Sequence, residues 1–419
     1  MNMVSTLSAA ALAERIFDTV GDLTRDEPGV SRESFGAGES RAMEAVAAIA
    51  AELGLSCETD AYKNLWMRLP EDARTAPPVI LGSHLDSVPH GGNFDGLAGV
   101  AAAMMALARY RGRAAAAPPL RALALRGEES AWYGKAYLGS LALTGKLGGE
   151  ALALRHRDGH GTLGGAMAML GIDTEAIRAG KPLLSPGDAA AYLELHIEQG
   201  PVMTARGWPV TAVTGIRGNL RHNAVRCTGE AGHSGAVPRW LRKDAVLAVA
   251  ELLSRMDEHW RVLLQMGMDL VMTSGICTTS PDSHAVSVIP GEVRFSLEIR
   301  SQDAATMERF YDLVREECRA IEKSRGVAFS FDARIDTAPA TMDPAWIARL
   351  QDASLRLGNP LETIPSGAGH DAAVFANAGI PAAMVFVRNE NGSHNPHEAM
   401  ETADFLKGVD LLTEAVRTV

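Results

Sequence analysis

The sequence has few cysteines, no long apolar run and no excess of positive charge. Its 419 residues contain only four cysteines, which are widely scattered and form no CxxC pair. This spacing excludes a disulfide-stapled scaffold and a zinc site built from thiolates. The cysteines are Cys57, Cys227, Cys277 and Cys318.

Charge and hydropathy exclude further classes of partner. The chain carries 40 Lys and Arg residues against 51 Asp and Glu residues, a formal net charge of −11, which does not favour binding to a nucleic acid. No stretch reaches the roughly 18 uninterrupted apolar residues of a membrane span. The first residues also lack the basic start and long apolar run of a secretory signal. We therefore expect a cytoplasmic protein without nucleic-acid or membrane partners.

What is present is the composition of a folded globular protein, with 47% hydrophobic and 22% charged residues. At about 150 residues per domain, the length corresponds to roughly three domain-sized units. In the first half, short apolar runs at 78–82, 120–125 and 190–196 alternate with helical patterns at 41–53 and 96–110. This alternation predicts an α/β layer with helices on both sides of a sheet.

The pattern changes after Gly207. The predicted elements are then strand 210–227, helix 242–256, strands 268–276 and 293–299, helix 304–324 and strand 327–335. Their order, β-α-β-β-α-β, is typical of a ferredoxin-like unit. The α/β rhythm resumes with helix 346–357, strand 382–387 and a helix from residue 403. We therefore predict one α/β domain formed by residues 1–209 and 337–419, with a second domain, residues 210–336, inserted into it.

The strongest chemical signal is the segment GSHLDSVPHGGNFDG, which comes directly after the apolar run at 78–82. It offers His84, Asp86, His90 and Asp95 in a predicted loop. Imidazole and carboxylate groups together suit zinc or manganese. A polar loop with capping aspartates is the alternative interpretation of this segment alone.

A second segment, RGEESAWYG, places Glu128 and Glu129 where the strand over 120–125 closes. Neighbouring side chains of a strand point in opposite directions, so the two acids are not expected to serve identically. One can bind a metal ion while the other transfers protons. A solvated turn is the usual interpretation of such a pair taken singly.

Two further segments add imidazoles after predicted strands. ELHIEQGP supplies His196, Glu198 and Gln199, and NGSHNPHEAM supplies His394 and His397. A lone histidine is more often structural than a metal ligand. Here, however, four strand ends each supply an imidazole or a carboxylate, and a two-ion site needs about three protein ligands per ion with a shared carboxylate. Open α/β sheets bind ligands at these strand ends, so we predict a two-metal site there.

In combination, these segments resemble one family. It comprises the two-metal hydrolases of the N-carbamoyl-L-amino-acid hydrolase, β-ureidopropionase and allantoate amidohydrolase group, related to the aminoacylase and carboxypeptidase-G-like metallopeptidases. The resemblance covers nearly the whole chain and implies a metallopeptidase-type catalytic domain with an inserted ferredoxin-like lid and dimerisation domain. The segments that carry it are GSHLDSVPHGGNFDG, GEESAWYG, ELHIEQGP, GEAGHSGAVP, SVIPGEVRFSLEIR, PSGAGHDA and GSHNPHE.

The resemblance implies two divalent ions per chain, zinc or else manganese, cobalt or nickel. His84 and His196 resemble the ligands of one ion, Glu129 and His394 those of the other. Asp95 resembles the carboxylate that bridges the ions. The peptidase relatives carry a carboxylate at the place of His196, so the histidine matches the carbamoylase branch of the family.

Other residues correspond to the family's acid–base and substrate groups. By resemblance, Glu128 is the general base, and Asp86 orients His84. His233 resembles a histidine that reaches the active site of a neighbouring subunit in a homodimer, although a surface turn is equally compatible with its Gly-rich loop. Arg300 resembles a clamp for the substrate carboxylate, and a solvent-facing arginine is the alternative. The remaining substrate contacts by resemblance are Gln199, Asn219, Gly369 and His370.

Three residues depart from the family pattern. Family members usually have arginine at the place of Trp132, asparagine at the place of Ser287 and, commonly, glutamine at the place of Asn219. The metal set is intact, so these changes affect the expected pocket and not the expected chemistry.

The resemblance therefore implies a small-molecule amidohydrolase acting on a linear C–N bond. The expected substrate is an N-carbamoyl-L-amino acid, which gives ammonia, carbon dioxide and the free amino acid. Allantoate or ureidoglycolate amidohydrolysis and N-acyl-amino-acid hydrolysis are alternatives within the same class. A non-catalytic ligand-binding protein on the same scaffold is the alternative of a different class, and the complete set of ligands with a base argues against it.

Overall fold

The computed structural model describes residues 7–111, 118–281 and 285–417. By contacts within the chain, it divides into two compact units. The first unit combines the chain up to Ile216 with the segment from Thr341 onward, and the second is Arg217–Ala340.

The described elements are helices α1–α12 and strands β1–β19. The helices are α1 Ala9–Leu23, α2 Ala37–Glu52, α3 Leu97–Arg109, α4 Leu138–Leu143, α5 Leu163–Met169, α6 Thr174–Arg178, α7 Val202–Arg206, α8 Ala245–Gln265, α9 Ala304–Arg325, α10 Pro344–Leu357, α11 Asp371–Asn377 and α12 Thr402–Arg417. The strands are β1 Arg25–Asp26, β2 Gly29–Val30, β3 Ser56–Thr59, β4 Leu65–Arg68, β5 Val79–His84, β6 Leu120–Leu125, β7 Ala191–Ile197, β8 Val210–Ile216, β9 Gly218–Thr228, β10 Gly232–His233, β11 Val271–Thr273, β12 Cys277–Thr279, β13 Val288–Ile289, β14 Glu292–Ser301, β15 Ala328–Ser330, β16 Ile335–Thr337, β17 Ala340–Thr341, β18 Thr363–Ser366 and β19 Ala382–Val387. Within these described ranges, no helix is long and apolar enough to cross a membrane.

The first unit is built on a nine-stranded sheet with the order β17-β8-β19-β7-β5-β6-β4-β3, in which β18 also pairs with β8. The central strands β19, β7, β5 and β6 are parallel to one another. β5, β7 and β19 are buried along their whole length, as is typical of a parallel sheet covered on both faces. Helices α1, α2, α3, α10 and α12 share the main hydrophobic core with these strands. The predicted α/β layer is confirmed, and the carboxyl ends of its parallel strands meet at one edge.

The second unit contains a sheet with the order β11-β14-β9-β15, all antiparallel, with β12 beside β14 and β16 beside β9. Helices α8 and α9 share one hydrophobic core with this sheet. The first strand of the unit lies between the third and the last, which is the order of a ferredoxin-like βαββαβ fold. Along β14 the buried residues alternate, as the sequence pattern predicts.

Some elements differ from their prediction. The polar, Gly-rich sequence of the stretch 155–187 indicates loops around one short helix, but this stretch contains the two helices α5 and α6. The predicted strand 327–335 is interrupted between β15 and β16, where the Asp332 carboxylate accepts a hydrogen bond from the backbone N–H of Asn223. Residues 210–216, placed in the inserted domain from the sequence, form β8 and pair with β19 in the large sheet. Only Arg217 separates β8 from β9, so the sequence pattern runs on as one extended segment.

Candidate metal centre

The predicted metal ligands lie at the carboxyl ends of the central strands. His84 is the last residue of β5, so it belongs to the strand and not to the loop in which the sequence analysis places it. His196 lies near the end of β7, and Asp95 lies just before α3. His394 follows β19, as predicted. Three segments that are distant in the sequence therefore meet at one edge of the sheet.

Glu128 and Glu129 do not lie at the end of a strand, so the prediction that they alternate as strand residues is wrong. β6 ends at Leu125, and Gly127 then takes a left-handed φ of 63°, so both acids lie in the loop. A side chain at Gly127 would collide with the ring of Phe35. The two acids still face different partners: Glu128 Oε2 lies 3.9 Å from His84 Nε2, and Glu129 Oε1 lies 3.5 Å from His394 Nε2.

Asp95 lies between two groups of ligands. Its Oδ1 is 3.1 Å from His196 Nε2 and 3.5 Å from His84 Nε2. Its Oδ2 is 3.6 Å from His394 Nε2. Asp95 therefore belongs both to a group with His84 and His196 and to a group with Glu129 and His394, each close enough to hold an ion. This arrangement suits a carboxylate shared by two ions.

The hydrogen bonds of the two buried histidines show that this site fits cations. His84 Nδ1 lies 3.1 Å from the backbone carbonyl of Asp86, and His196 Nδ1 lies 2.9 Å from that of Ile197. A carbonyl can only accept, so each Nδ1 donates and each neutral ring keeps a lone pair on Nε2. These two Nε2 atoms are 3.4 Å apart and both face Asp95. Such a cluster of electron pairs is suited to a divalent metal ion.

The second group, Asp95, Glu129 and His394, contains a buried oxygen without a hydrogen-bond partner among the described residues. Glu129 Oε1 is buried and accepts no hydrogen bond from the residues that the structure describes. Burial, together with the nearby carboxylate of Asp95, raises the pKa of Glu129 well above its usual value. A bound cation would relieve both costs, because it supplies positive charge and a ligand contact to that oxygen.

Asp86 supports the site in two ways. Its Oδ1 lies 3.3 Å from His84 Nδ1, in agreement with the predicted orienting contact. Its carboxylate also accepts hydrogen bonds from the backbone N–H groups of Glu128 and Glu129, at 2.9 and 3.0 Å, and from the hydroxyl of Ser34 at 2.6 Å. One buried carboxylate therefore fixes a histidine and both acids of the neighbouring loop.

The pKa values of Glu128 and Asp95 are shifted in opposite directions. Burial raises the pKa of Glu128 well above its ordinary value, and the nearby Glu129 adds to this effect. Burial also acts on Asp95, but the rings of His196 and His84, when they are protonated, outweigh it and hold the pKa of that carboxyl well below its usual range. Asp95 therefore stays ionised, while Glu128 holds a proton more tightly than an ordinary glutamate does.

Three predicted substrate contacts lie beside the metal ligands. Gln199 Nε2 donates a hydrogen bond to Asp95 Oδ2 at 2.7 Å. The ring of His370 lies 4.4 Å from that of His196, and its Nε2 is 2.9 Å from the hydroxyl oxygen of Ser366. Burial and His196 hold the pKa of His370 well below its ordinary value. A Cβ at Gly369 would fall 1.5 Å from the hydroxyl oxygen of Tyr137, so any side chain there would require Tyr137 to move.

The other predicted residues have different surroundings. Asn219 and Arg300 face each other across β9 and β14 of the second unit, and Arg300 Nη2 donates to Glu298 at 2.9 Å. His233 is exposed on β10 and accepts a hydrogen bond from the backbone N–H of Gly235. His90 and His397, which occur in the motifs, belong to neither ligand group.

Trp132, the first departure from the family pattern, lies behind the Glu128 loop. Its Nε1 donates to the backbone carbonyl of Ser87 at 2.7 Å, and its ring stacks on His156. His156, His160 and Glu33 form another cluster of possible ligands. However, His156 Nδ1 accepts the backbone N–H of Asp158, so the neutral ring carries its proton on Nε2, beside Glu33. That nitrogen lies 3.0 Å from Glu33 Oε1 without a hydrogen bond to any described residue, and because it is protonated it offers no lone pair to an ion.

Sequence reasoning missed several residues that contact the ligands. Ser393 donates to Asp95 Oδ2, and Glu398 accepts hydrogen bonds from the backbone N–H groups of Phe94 and Asp95. Both lie within or beside the segment GSHNPHE, so the motif itself was the available signal. Arg32, buried below Asp95, lies in no motif that the sequence analysis identified.

A buried pair supports the Glu128 loop from the side of α2. Glu39 accepts hydrogen bonds from the backbone N–H groups of Gly127 and Phe35 and pairs with the guanidinium of Arg126 at 2.5 Å. We predict that Glu39→Ala lowers the free energy of unfolding by about 3–5 kcal/mol, because it leaves a buried charge without its partner. Urea denaturation measures this loss. Glu44→Ala, on the exposed face of α2, is the control, and a loss at Glu39 below about 1 kcal/mol would contradict the prediction.

Comparison with known proteins agrees with this geometry. The family described as Peptidase family M20/M25/M40 matches residues 80–418. The N-carbamoyl-L-amino acid amidohydrolase of Geobacillus stearothermophilus is 35% identical, over 93% of each chain. The allantoate amidohydrolase of Escherichia coli K12 is 31% identical, over 86% of this chain and 85% of that protein. A hydantoinase/carbamoylase family amidase from Burkholderia ambifaria has a similar structure, with a TM-score of 0.84, 30% identity and coverage of 98% and 97%.

Proposed function

This chain belongs to peptidase family M20/M25/M40, and from that membership we propose that it hydrolyses N-carbamoyl-L-amino acids with two divalent metal ions per chain. It is a metal-dependent hydrolase acting on a linear carbon–nitrogen bond. The observation that carries the proposal is the position of Asp95, whose two oxygens face two different groups of ligands. The relatives named N-carbamoyl-L-amino acid amidohydrolases support the substrate, as does the histidine at position 196.

In this proposal, His84, His196 and Asp95 hold one ion, and Asp95, Glu129 and His394 hold the other. When bound, the ions polarise the substrate carbonyl and acidify a water molecule. The nitrogen and oxygen ligands suit zinc, and manganese, cobalt or nickel are the alternatives.

Glu128 is the proposed general base. It belongs to neither ligand group, yet its carboxylate lies 3.9 Å from a ligand of the first ion. Its raised pKa allows it to take a proton from the attacking water and to return it to the leaving nitrogen. The water oxygen bonds to the ureido carbon and a C–N bond breaks. Overall, one substrate and one water give one amino acid, one ammonia and one carbon dioxide.

The substrate contacts and the assembly complete the proposal. Gln199, Gly369 and His370 lie beside the ligands and are proposed to contact the ureido group. Arg300 is proposed to bind the substrate carboxylate through its planar guanidinium, with Asn219 beside it. We further propose a homodimer in which the second unit acts as a lid. The cytoplasmic location and the lack of nucleic-acid and membrane partners stay predictions from the sequence.

The test is ammonia release from a panel of substrates by protein stripped with a chelator and reloaded with one metal at a time. We expect no activity in the stripped protein and a return of activity that saturates at about two ions per chain. N-carbamoyl-L-amino acids should react with a higher kcat/KM than allantoate, ureidoglycolate or N-acyl amino acids.

Three results would contradict the proposal. Full activity in protein shown by elemental analysis to be free of metal would remove the two-ion mechanism. A kcat/KM for allantoate or an N-acyl amino acid above that for every N-carbamoyl amino acid would show that the proposed substrate is wrong. Binding of the panel without turnover at any metal would favour the non-catalytic alternative.

A further inference from the structure

Arg32 is a fully buried arginine whose side chain, among the described residues, donates only to one short segment of chain. Its Nε donates to the backbone carbonyl of Leu85 at 2.6 Å, and its Nη1 donates to Asn93 Oδ1 at 3.0 Å. Its Nη2 lies 3.4 Å from the backbone carbonyls of Asn93 and Asp95. All these acceptors belong to residues 85–95, the segment that joins the ligands His84 and Asp95. We infer that Arg32 is a positioning residue that sets the shared carboxylate of the metal centre.

The backbone of Arg32 joins the same segment. Its N–H donates to the hydroxyl oxygen of Ser87, and its carbonyl accepts the backbone N–H of Ser87, both at 3.0 Å. The residue is therefore anchored at one end of the segment while its guanidinium reaches the other. A planar group with several N–H donors can hold carbonyls at both ends at once, whereas a lysine ammonium cannot.

Asp95 is held from two sides. Its backbone N–H donates to Glu398 Oε1 at 3.2 Å, and its backbone carbonyl faces the guanidinium of Arg32. Immediately after it, Gly96 takes a φ of 67° in contact with the ring of His84, which leaves no room for a side chain there. The peptide that carries the shared ligand is thus clamped between a buried cation and a buried anion.

Among the described residues, the guanidinium of Arg32 forms no ion pair. No carboxylate oxygen of the residues that the structure describes lies within ion-pair distance of it, although Asp86, Asp95, Glu129 and Glu398 all interact with it electrostatically. Its N–H groups are used on carbonyl and amide oxygens. Positioning and charge are therefore two separable contributions, and a charge-conserving substitution distinguishes them.

The inference rests on the proposed two-ion site, and the test is metal affinity. Arg32→Lys and Arg32→Gln, stripped of metal, are titrated with zinc against a chromogenic chelator. Because Asp95 serves both ions, we expect each variant to lose about 10–100-fold in affinity at both sites. The lysine variant should lose nearly as much as the glutamine variant. Excess zinc should restore kcat, because the base and the ligands are unchanged.

Arg121→Lys is the matched control. Arg121 is a largely buried arginine on β6 of the same unit; it pairs with Asp72 and lies away from the ligands. This control variant should keep wild-type affinity. If Arg32→Lys does not fold, Asn93→Ala is used instead. It removes one acceptor of the guanidinium and should also lower the affinity for zinc at both sites. Wild-type zinc affinity in Arg32→Lys would overturn the inference. If Arg32→Lys does not fold, wild-type affinity in Asn93→Ala would overturn it. Failure of the wild-type protein to bind two ions would instead overturn the proposed function.

Discussion

Glu128→Gln should keep two ions per chain and lose about 10²–10⁴-fold or more in kcat. Glutamine has the shape and hydrogen-bonding capacity of glutamate but accepts no proton. The backbone of Glu128 is held by Asp86, so the substitution leaves the loop in place. Steady-state ammonia release and elemental analysis of the same preparation measure the two quantities together.

Glu129→Gln is the matched variant, because Glu129 is the adjacent residue of the same loop and its backbone N–H bonds to the same Asp86 carboxylate. It should lose one ion, since its Oε1 faces His394 and has no partner among the described residues. Excess metal should restore part of its activity but none of the activity lost in Glu128→Gln. If Glu128→Gln lost the ion and Glu129→Gln kept both, the two roles would have to be exchanged.

The parts of this fold that sequence reasoning predicted are those set by local pattern. Strands β6 and β19 lie at the predicted residues, because a buried parallel strand is a continuous apolar run with clear ends. The resemblance predicts Asp95 as the shared ligand, which stays a prediction, and Asp95 belongs to both candidate ligand groups. For the strands, a short stretch of sequence holds all the information that the prediction needs. For Asp95, the information comes from seven segments taken together.

The parts that could not be predicted depend on contacts between distant segments. The alternation of strand side chains separated Glu128 from Glu129 for a wrong reason, since the left-handed turn at Gly127 ends the extended geometry before either acid. No local pattern shows that Asp86 accepts both of their backbone N–H groups. The buried guanidinium of Arg32 is likewise invisible in sequence, because its partners lie more than 50 positions away.

The second unit raises the question of how its residues serve a reaction whose metal ligands all lie in the first. His233 and Arg300 belong to the unit Arg217–Ala340, and the imidazole of His233 is exposed. An exposed imidazole on the short strand β10 is free to contact another chain. In the proposed homodimer, His233 of the partner subunit polarises the substrate carbonyl and stabilises the negative charge that develops on its oxygen. Activity then requires two chains for each site.

Mixing two inactive proteins, Glu128→Gln and His233→Ala, should therefore restore activity under conditions of subunit exchange. In a mixed dimer, the site of the His233→Ala chain has its own base and receives an intact histidine from its partner. The other site has neither. Random exchange makes about half of the dimers mixed, with one good site of two, so about a quarter of wild-type activity should return. Ammonia release, followed over the time in which native mass spectrometry shows exchange, measures the recovery.

The control is a mixture of Glu128→Gln with Glu129→Gln. Both defects lie in the first unit beside the same ions, so every site of every dimer keeps a defect and no activity should return. Recovery in the first mixture and not in the second requires a site composed of two chains. If exchange is verified and neither mixture recovers, His233 acts within its own chain or outside the reaction, because a histidine supplied in trans would have completed half of the sites in every mixed dimer.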